Sequence, residues 1–215
     1  MQFELIILDF DGTIAESKLS ILTTIKETLL DLGLSSIGDN KLKELIGLSL
    51  KKTFEKITGL KGIIIEEAIK KFRIKYPEIA YKTVYLFPNV EETLKKLYEN
   101  GIKLAIASNK ERNILTELFK KLNNVHFFSF IAGEQDAENK KPAPDVVNLI
   151  LKKFNVSNEK TLVVGDTEYD IEMGKRANCF TCAVTYGYNS IEKIKPFSPD
   201  FIIDEFPQLL DIILE

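Results

Sequence analysis

Six short apolar runs, spaced along the chain, constrain the fold more than any other feature of this sequence. Several of them are almost wholly apolar, which is typical of central parallel strands that are covered on both faces. Amphipathic helical patterns separate most of these runs, and this alternation predicts an α/β fold with a doubly wound parallel sheet. The predicted strands are residues 3–9, 102–108, 127–133, 161–166, 179–185 and 200–204.

One long segment breaks this alternation. Residues 15–82 contain no convincing strand pattern but show several amphipathic helical stripes. The sequence therefore predicts an all-helical insertion directly after the first strand. We expect a Rossmann-like core formed by residues 1–14 and 83–215, and a helical cap domain formed by residues 15–82. Pro77 and Pro88 are expected to punctuate the return of the chain to the core.

Polar residues follow three of the predicted strands. Asp9 and Asp11 end the first strand, Ser108 ends the second, and Asp166 ends the strand "TLVVGD". Ligands bind beyond the carboxyl ends of the strands in an open parallel sheet, so these groups are expected to converge. The loop "EQDAENKKPAPD" adds Lys141. Converging carboxylates suit Mg²⁺, and a hydroxyl beside an ammonium suits phosphate oxygens.

The first of these motifs carries a chemistry of its own. An aspartate attacks phosphorus as a nucleophile, and a second carboxyl two residues on protonates the leaving oxygen and later deprotonates water. In an extended chain, Phe10 is the spacer that sends Asp9 and Asp11 to the same side. Gly12 would let the backbone approach closely, and Thr13 would bind phosphate or cap the turn.

Each residue alone also has a simpler interpretation. Asp9 and Asp11 would form a turn, Asp166 would be a helix N-cap, Ser108 a turn residue and Lys141 a surface charge. Taken together, all of them fall at predicted strand ends or in the adjoining loop, in an order that builds one site. The combination therefore favours a catalytic site.

The motifs resemble those of the haloacid dehalogenase superfamily of phosphatases. They are "DFDGT" at 9–13, "ASNK" at 107–110, "KKPAPD" at 140–145 and "GDTEYD" at 165–170. The insertion resembles the helical cap of the subgroup that contains phosphoglycolate phosphatases, and its segment "LIGLSLKKTFEKI" resembles the cap loop that reaches the active site. "VTYGY" at 184–188 resembles a late segment of the same enzymes.

The resemblance implies a role for each matching residue. Asp9 would be the nucleophile and a Mg²⁺ ligand, and Asp11 the general acid/base that also binds Mg²⁺ through its carbonyl. Asp166 would be a further Mg²⁺ ligand, with Asp170 behind it, orienting metal-bound water or Lys141. The phosphoryl group would be held by Thr13, Ser108, Asn109 and Lys141. Substrate would be contacted from the cap by Glu16, Gly47, Leu48 and Ser49.

Three positions depart from the family pattern. Asn178 replaces the usual Gly after "KRA", and Asn is the next-best residue for a left-handed helix end. Asn89 stands where the family often has Gly, and it is expected to cap the following helix. Ser49 stands where many relatives have Pro, which leaves the substrate open while the chemistry is retained.

The resemblance therefore implies a Mg²⁺-dependent phosphatase of small phosphomonoesters, with phosphoglycolate as the first candidate. Pyrophosphate, nucleotides and sugar phosphates are alternative substrates. A phosphomutase of the same fold is the main rival, because it would use the same phosphorylated Asp9. A signalling receiver domain is about half this length and lacks a helical insertion, and a dehalogenase does not need Asp11. A non-catalytic scaffold is hard to reconcile with a complete site.

Charge and composition limit the partners. The formal net charge is -3 and the pI about 5.5, so no basic excess favours nucleic acid or an anionic membrane surface. No apolar run reaches the roughly 18 residues of a membrane span, and no signal peptide is recognised at the N-terminus. A cytoplasmic enzyme with a small phosphorylated substrate is expected, as a monomer or homodimer.

Cys179 and Cys182 form a C-x-x-C pattern, which raises the alternatives of a redox pair or half of a metal site. No second cysteine pair is present and His126 is the only histidine, so a four-ligand zinc site is not favoured. Both cysteines fall on a predicted strand, where residues three apart face opposite sides. We expect two buried side chains that are not joined.

Overall fold

The computed structural model describes residues 3–35 and 37–214. Its strands, in chain order, are β1 (Leu5–Leu8), β2 (Ala15–Glu16), β3 (Tyr85–Leu86), β4 (Lys103–Ala107), β5 (Phe130–Ala132), β6 (Thr161–Gly165), β7 (Phe180–Val184) and β8 (Phe201–Ile203). Six of them form a parallel sheet in the order β5-β4-β1-β6-β7-β8. These are the six strands predicted from the apolar runs, each shorter than predicted, and the doubly wound α/β fold is confirmed.

Helices cover both faces of this sheet. They are α1 (Lys18–Asp31), α2 (Asp39–Lys43), α3 (Leu50–Thr58), α4 (Ile63–Thr83), α5 (Val90–Glu99), α6 (Arg112–Lys121), α7 (Asp145–Phe154), α8 (Glu168–Arg176), α9 (Ile191–Ile194) and α10 (Leu209–Leu214). The central strand β1 shows why its residues are all apolar. Ile6 and Leu8 pack into one core, and Leu5 and Ile7 pack into the core on the other face.

The predicted insertion is helical, and we call α1 to α4 the helical insertion. The chain leaves the core through β2 and returns through β3, which pair antiparallel with Ala15 opposite Leu86 and Glu16 opposite Tyr85. Strand β2 lies in the segment for which no strand was expected, because two residues are too few to show a periodic pattern. The exit and the return of the insertion therefore lie side by side.

The prediction that Pro77 marks the return of the chain is wrong. Pro77 lies inside α4, which continues to Thr83. A proline removes one backbone donor from the helix, but α4 buries Phe72, Tyr76 and Ala80 along one face on either side of it. This burial offsets the lost hydrogen bond, because helices in proteins are stabilised mainly by the packing of their apolar face.

Two asparagines adopt the left-handed conformation. Asn178 has a φ of 56°, as expected for a residue that replaces glycine at a helix end. Asn89 has a φ of 61° and precedes α5, but its side chain makes no capping hydrogen bond. Asn89 therefore occupies the expected N-cap position without the expected side-chain cap, and its left-handed backbone explains why a glycine would also suit this position.

Cys179 and Cys182 are buried and not joined. Cys179 packs into the core that contains Leu5, whereas Cys182 packs into the core that contains Leu8. The two thiols therefore lie on opposite faces of the sheet, as the strand geometry predicts. Burial raises the pKa of each thiol to about 12.

Within residues 3–35 and 37–214, none of the helices combines the length and the apolar character that a bilayer crossing requires.

Candidate active site

The three strands that end in polar residues are neighbours in the sheet. Strand β1 lies between β4 and β6, so Asp9, Ser108 and Asp166 follow adjacent strands at the same edge. All three are buried. We expected these residues to converge because ligands bind beyond the carboxyl ends of the strands in a parallel sheet. The structure brings them together at that edge.

Lys141 completes this group from the loop before α7. Its ammonium donates to Asp9 Oδ1 at 2.7 Å and to Asp170 Oδ1 at 2.6 Å, and all three side chains are buried. The neighbouring Lys140 turns away and donates to the backbone carbonyls of Glu134 and Ala137. The structure therefore distinguishes the two lysines, and Lys141 is the one in the site.

Three buried carboxylates form a cluster. Oxygens of Asp9, Asp166 and Asp170 all lie within 4.8 Å of one another. Burial raises the pKa of Asp9 to about 7, although the Lys141 ammonium opposes this shift, and burial together with Asp170 raises that of Asp166 well above its usual range. Buried acids this close oppose ionisation unless a cation offsets their charge.

Asp166 is not the N-cap of the following helix. That position belongs to Thr167, whose hydroxyl accepts from the N–H of Asp170, while Asp170 Oδ2 accepts from the N–H of Thr167 at 3.1 Å. The Asp166 carboxylate is therefore not used as a cap and lies in the buried cluster with Asp9 and Asp170. Asp170 lies in the first turn of α8, consistent with its predicted position one turn after Asp166.

Backbone packs closely around Asp166. Its Oδ2 accepts from the N–H of Tyr188 at 2.7 Å, and its Oδ1 accepts from the Thr13 hydroxyl at 3.3 Å. A Cβ on Gly12 would lie 2.3 Å from Asp166 Oδ2, and a Cβ on Gly187 would lie 2.2 Å from the Cβ of Asp166. Glycine is therefore required on both sides of this carboxylate.

Asp11 stands apart from the carboxylate cluster. Its two oxygens accept from Lys110 Nζ at 2.6 and 2.8 Å, and Oδ1 also accepts from the Ser17 hydroxyl at 2.5 Å. Phe10 is fully buried and packs edge-on against Phe119, with ring centroids 5.0 Å apart. Asp9 and Asp11 line one cavity, which agrees with the predicted spacer role of Phe10.

This cavity has a volume of about 80 Å³ and lies between the core and the helical insertion. Ser108, Asn109 and Lys141 line it from the core, while Gly47 and Leu48 line it from the helical insertion. Asn109 Nδ2 donates to the carbonyl of Gly47 at 2.9 Å, which joins the two parts directly.

Four predicted site residues do not line the cavity, and one of them is Asp166, which is fully buried in the carboxylate cluster. The Thr13 hydroxyl donates to Asp166. Glu16 accepts from the Tyr188 hydroxyl at 3.0 Å and from the N–H of Lys18 at 2.8 Å, so it lies at the crossing between core and helical insertion. Ser49 is the N-cap of α3 and accepts from the N–H of Lys52. The side chains of Thr13, Glu16 and Ser49 therefore bond to other parts of the protein and do not face the cavity.

Several residues that sequence reasoning did not assign also line the cavity. Lys110 reaches Asp11 and also donates to the Tyr76 hydroxyl of α4 at 2.8 Å. Arg73 of α4 lies 2.7 Å from Glu134 and 2.9 Å from Glu111. The position of Lys110 beside Ser108 was a usable signal, whereas nothing in the sequence pairs Tyr76 or Arg73 with the core.

Known proteins with similar sequences and folds agree with this architecture. A family model described as "Haloacid dehalogenase-like hydrolase" matches residues 6–184. A phosphoglycolate phosphatase from Vibrio cholerae is 29% identical, covering 98% of this chain and 97% of the relative. Another from Salmonella paratyphi A is 31% identical, covering 94% and 89%.

Solved structures with the same fold carry similar descriptions. A protein from Haemophilus somnus, described as a "predicted phosphoglycolate phosphatase", superposes with a TM-score of 0.91 at 29% identity, covering 99% of this chain and 98% of that one. A haloacid dehalogenase-like family hydrolase from Streptococcus pneumoniae superposes with a TM-score of 0.88 at 25% identity, covering 98% of each.

Proposed function

Because the chain belongs to the haloacid dehalogenase-like hydrolase family, we propose that it is a Mg²⁺-dependent phosphatase acting through a phosphorylated Asp9. The family predicted from the motifs is confirmed, and relatives named as phosphatases confirm the prediction of an enzyme that hydrolyses phosphomonoesters. The observation that carries the mechanism is the buried group formed by Lys141, Asp9, Asp166 and Asp170.

The carboxylate cluster fits a small hard cation. Asp9 and Asp166 would hold Mg²⁺ together with the backbone carbonyl of Asp11, while Asp170 would stay behind them with Lys141. Carboxylate and carbonyl oxygens are the ligands that Mg²⁺ prefers, and the burial of the three acids leaves their charge in need of a cation. When bound, Mg²⁺ would supply charge stabilisation to the transferring phosphoryl group.

In the first step, a carboxylate oxygen of Asp9 attacks phosphorus. The bond between phosphorus and the ester oxygen breaks, and Asp11 donates a proton to the leaving oxygen. Lys141 and Ser108 would hold the phosphoryl oxygens while this bond exchange takes place. The products of the step are a free alcohol and a phosphorylated Asp9.

In the second step, water replaces the alcohol. Asp11 accepts a proton from the water as its oxygen attacks phosphorus, and the bond between phosphorus and Asp9 breaks. Inorganic phosphate leaves, and Asp9 returns to the carboxylate form. Lys110 and Ser17 fix the Asp11 carboxylate at the cavity wall, which suits it to accept the proton of this step. To donate in the first step, Asp11 must enter the cycle protonated, and the proton taken from water restores that form.

The helical insertion would act as the cap of the site, with residues 15–82 as the moving unit. Contacts of Asn109 with Gly47 and of Lys110 with Tyr76 join it to the core. A closed cap would exclude water until the phosphorylated Asp9 has formed, and it would open to exchange substrate and product. Gly47 and Leu48 would contact the substrate from the cap loop.

Phosphoglycolate is the first ester to test, because relatives carry its name. Pyrophosphate, nucleotides and sugar phosphates are the other candidates. We place the enzyme in the cytoplasm, since two unjoined cysteines suit a reducing compartment, and we expect a monomer or homodimer. Light scattering in solution would measure this oligomeric state.

The experiment is a phosphate-release screen over these esters, with and without Mg²⁺. Wild type and a control, Asp211→Asn in the exposed part of α10, are expected to release phosphate from at least one ester when Mg²⁺ is present. Asp9→Asn is expected to release none. Hydrolysis of no ester by wild type would overturn the proposal, and formation of an isomer in place of free phosphate would favour the phosphomutase.

A further inference from the structure

The helical insertion contributes mainly apolar side chains to the cavity. Two come from α1, one from α4, and the rest from the segment between α2 and α3 and the start of α3. These side chains are Ile21, Ile25, Phe72, Leu45, Ile46, Leu48 and Leu50. Ile114 adds an apolar side chain from α6 of the core. These side chains favour an apolar group and give no hydrogen bond to a polar one. The polar side chains that the helical insertion adds to the cavity are Thr53, Arg73 and Tyr76.

The cationic side chains of the cavity are already paired with acids. Lys141 bonds to Asp9 and Asp170, as described above. Lys110 contacts both oxygens of Asp11, at 2.6 and 2.8 Å. Within these two pairs, each ammonium has at least one carboxylate at hydrogen-bond distance, so neither is available to a second anionic group on the substrate.

Arg73 is the third cationic side chain of the cavity. Its Nη2 lies 2.7 Å from Glu134 and its Nε 2.9 Å from Glu111. Both glutamates also line the cavity. Among the described residues, Nη2 donates to Glu134, whereas Nε makes no hydrogen bond of good geometry although Glu111 lies beside it. A carboxylate on the substrate would therefore have to compete with both glutamates for the guanidinium, and their charges oppose its approach.

The numbers of acidic and basic side chains in the cavity also disfavour a second negative charge on the substrate. In the described part of the chain, five carboxylates line the cavity, and they belong to Asp9, Asp11, Glu111, Glu134 and Asp170. Only three cationic side chains from the same part of the chain line it, and they are Arg73, Lys110 and Lys141. One divalent cation would offset this excess, and the phosphoryl group would then use Lys141 and that cation. A further negative charge on the leaving group would then have no cation left to offset it, and the surrounding carboxylates would repel it.

We propose that the site selects phosphomonoesters whose leaving group is uncharged and partly apolar, over esters that carry a carboxylate. The inference rests on the proposed phosphatase activity and names its substrate class. It separates this chain from the activity that the names of its relatives suggest, because phosphoglycolate carries the carboxylate that the cavity disfavours.

The test compares three esters of nearly the same size and shape. They are phosphoglycolate, hydroxyacetone phosphate, in which a methyl ketone replaces the carboxylate, and isobutyl phosphate, in which both oxygens are replaced by methyl groups. With Mg²⁺ present, kcat/KM for each uncharged ester is expected to exceed that for phosphoglycolate by about tenfold or more. Equal or better hydrolysis of phosphoglycolate would overturn the inference while leaving the phosphatase intact. Hydrolysis of none of the three, together with a negative screen, would overturn both.

Two variants test the physical cause. Glu134→Gln and Glu111→Gln each remove one carboxylate from Arg73, so each is expected to raise kcat/KM for phosphoglycolate severalfold relative to isobutyl phosphate. Glu91→Gln, in the exposed first turn of α5, is the matched control and should leave the ratio unchanged. Melting temperature checks that each variant is folded. An unchanged ratio in both folded variants would contradict the role of charge pairing.

Discussion

The ammonium nitrogen of Lys141 lies 2.7 Å from a carboxylate oxygen of Asp9, although 132 positions separate the two residues in the chain. Both side chains are buried, and Lys141 also contacts Asp170. Desolvation of the charged forms is costly, so the group is stable only while its charges stay paired. This contact therefore connects stability and catalysis at one point of the fold.

Replacing Lys141 with methionine is expected to affect both properties. Asp9 and Asp170 would be left buried without their partner, which should lower the free energy of unfolding by about 3 kcal/mol and abolish most turnover. Urea denaturation and phosphate release measure the two effects. Lys140→Met is the matched control, because the Lys140 ammonium hydrogen-bonds to backbone carbonyls and leaves no buried carboxylate unpaired when it is removed, and it should cost about 1.5 kcal/mol. Equal stability of the two variants would contradict the role given to Lys141.

Removing one predicted metal ligand should abolish Mg²⁺ binding, and this loss can be measured without an activity assay. Mg²⁺ is expected to raise the melting temperature of the wild-type protein by several degrees, because it binds only the folded chain. Asp166→Asn should lose this shift, since it removes a predicted ligand. Asp211→Asn, on the surface, should retain it. A Mg²⁺ shift of full size in Asp166→Asn would argue against the proposed ligand set.

Gly12 and Gly33 form a matched pair for a test of close packing. Both have positive φ, at 86° and 66°, but a Cβ at Gly12 would lie 2.3 Å from Asp166 Oδ2, whereas a Cβ at Gly33 would have no neighbour within 4 Å. Gly33→Ala should therefore cost about 1 kcal/mol in stability and leave turnover unchanged. Gly12→Ala should also lose the Mg²⁺ shift and most turnover. The account fails here if both variants keep full activity.

The burial of Cys179 and Cys182 predicts that both thiols react slowly in the folded protein. Burial raises the pKa of Cys179 and Cys182 to about 12, so nearly all of each thiol stays neutral at pH 8. Iodoacetamide should label the folded protein roughly a thousandfold more slowly than the urea-unfolded protein. Mass spectrometry measures the labelling. Rapid labelling of the folded protein, or an internal disulfide after mild oxidation, would support the redox interpretation instead.

Local patterns were sufficient to predict the sheet and one edge of the site. The strands were found because β1, β4 and β6 are covered on both faces and are therefore almost wholly apolar. Asp9 and Asp166 were found because each directly follows such a strand, at the edge where parallel sheets bind their ligands. These inferences need only the sequence near each residue and the rule for parallel strands.

Contacts across the cavity could not be predicted in this way. Tyr76 looks like one more apolar position of the α4 stripe, and only the packing of α4 against the core brings its hydroxyl to Lys110. The same packing pairs Arg73 with Glu134. Asn89 was misread for a related reason, since its left-handed backbone depends on how the chain enters α5.

The central claim is that Asp9 carries the phosphoryl group between the two steps. The most direct measurement is a rapid acid quench during turnover with Mg²⁺, followed by mass spectrometry of the peptide that contains Asp9. Asp11→Asn with an aryl phosphate should strengthen the signal, because an aryl leaving group needs little protonation whereas release of phosphate needs the base. We expect one phosphoryl group on Asp9, and none in Asp9→Asn, which should keep its fold and lose at least about 10⁴-fold in kcat. Turnover close to wild type in Asp9→Asn, with no phosphorylated Asp9 in the active enzyme, would contradict the mechanism.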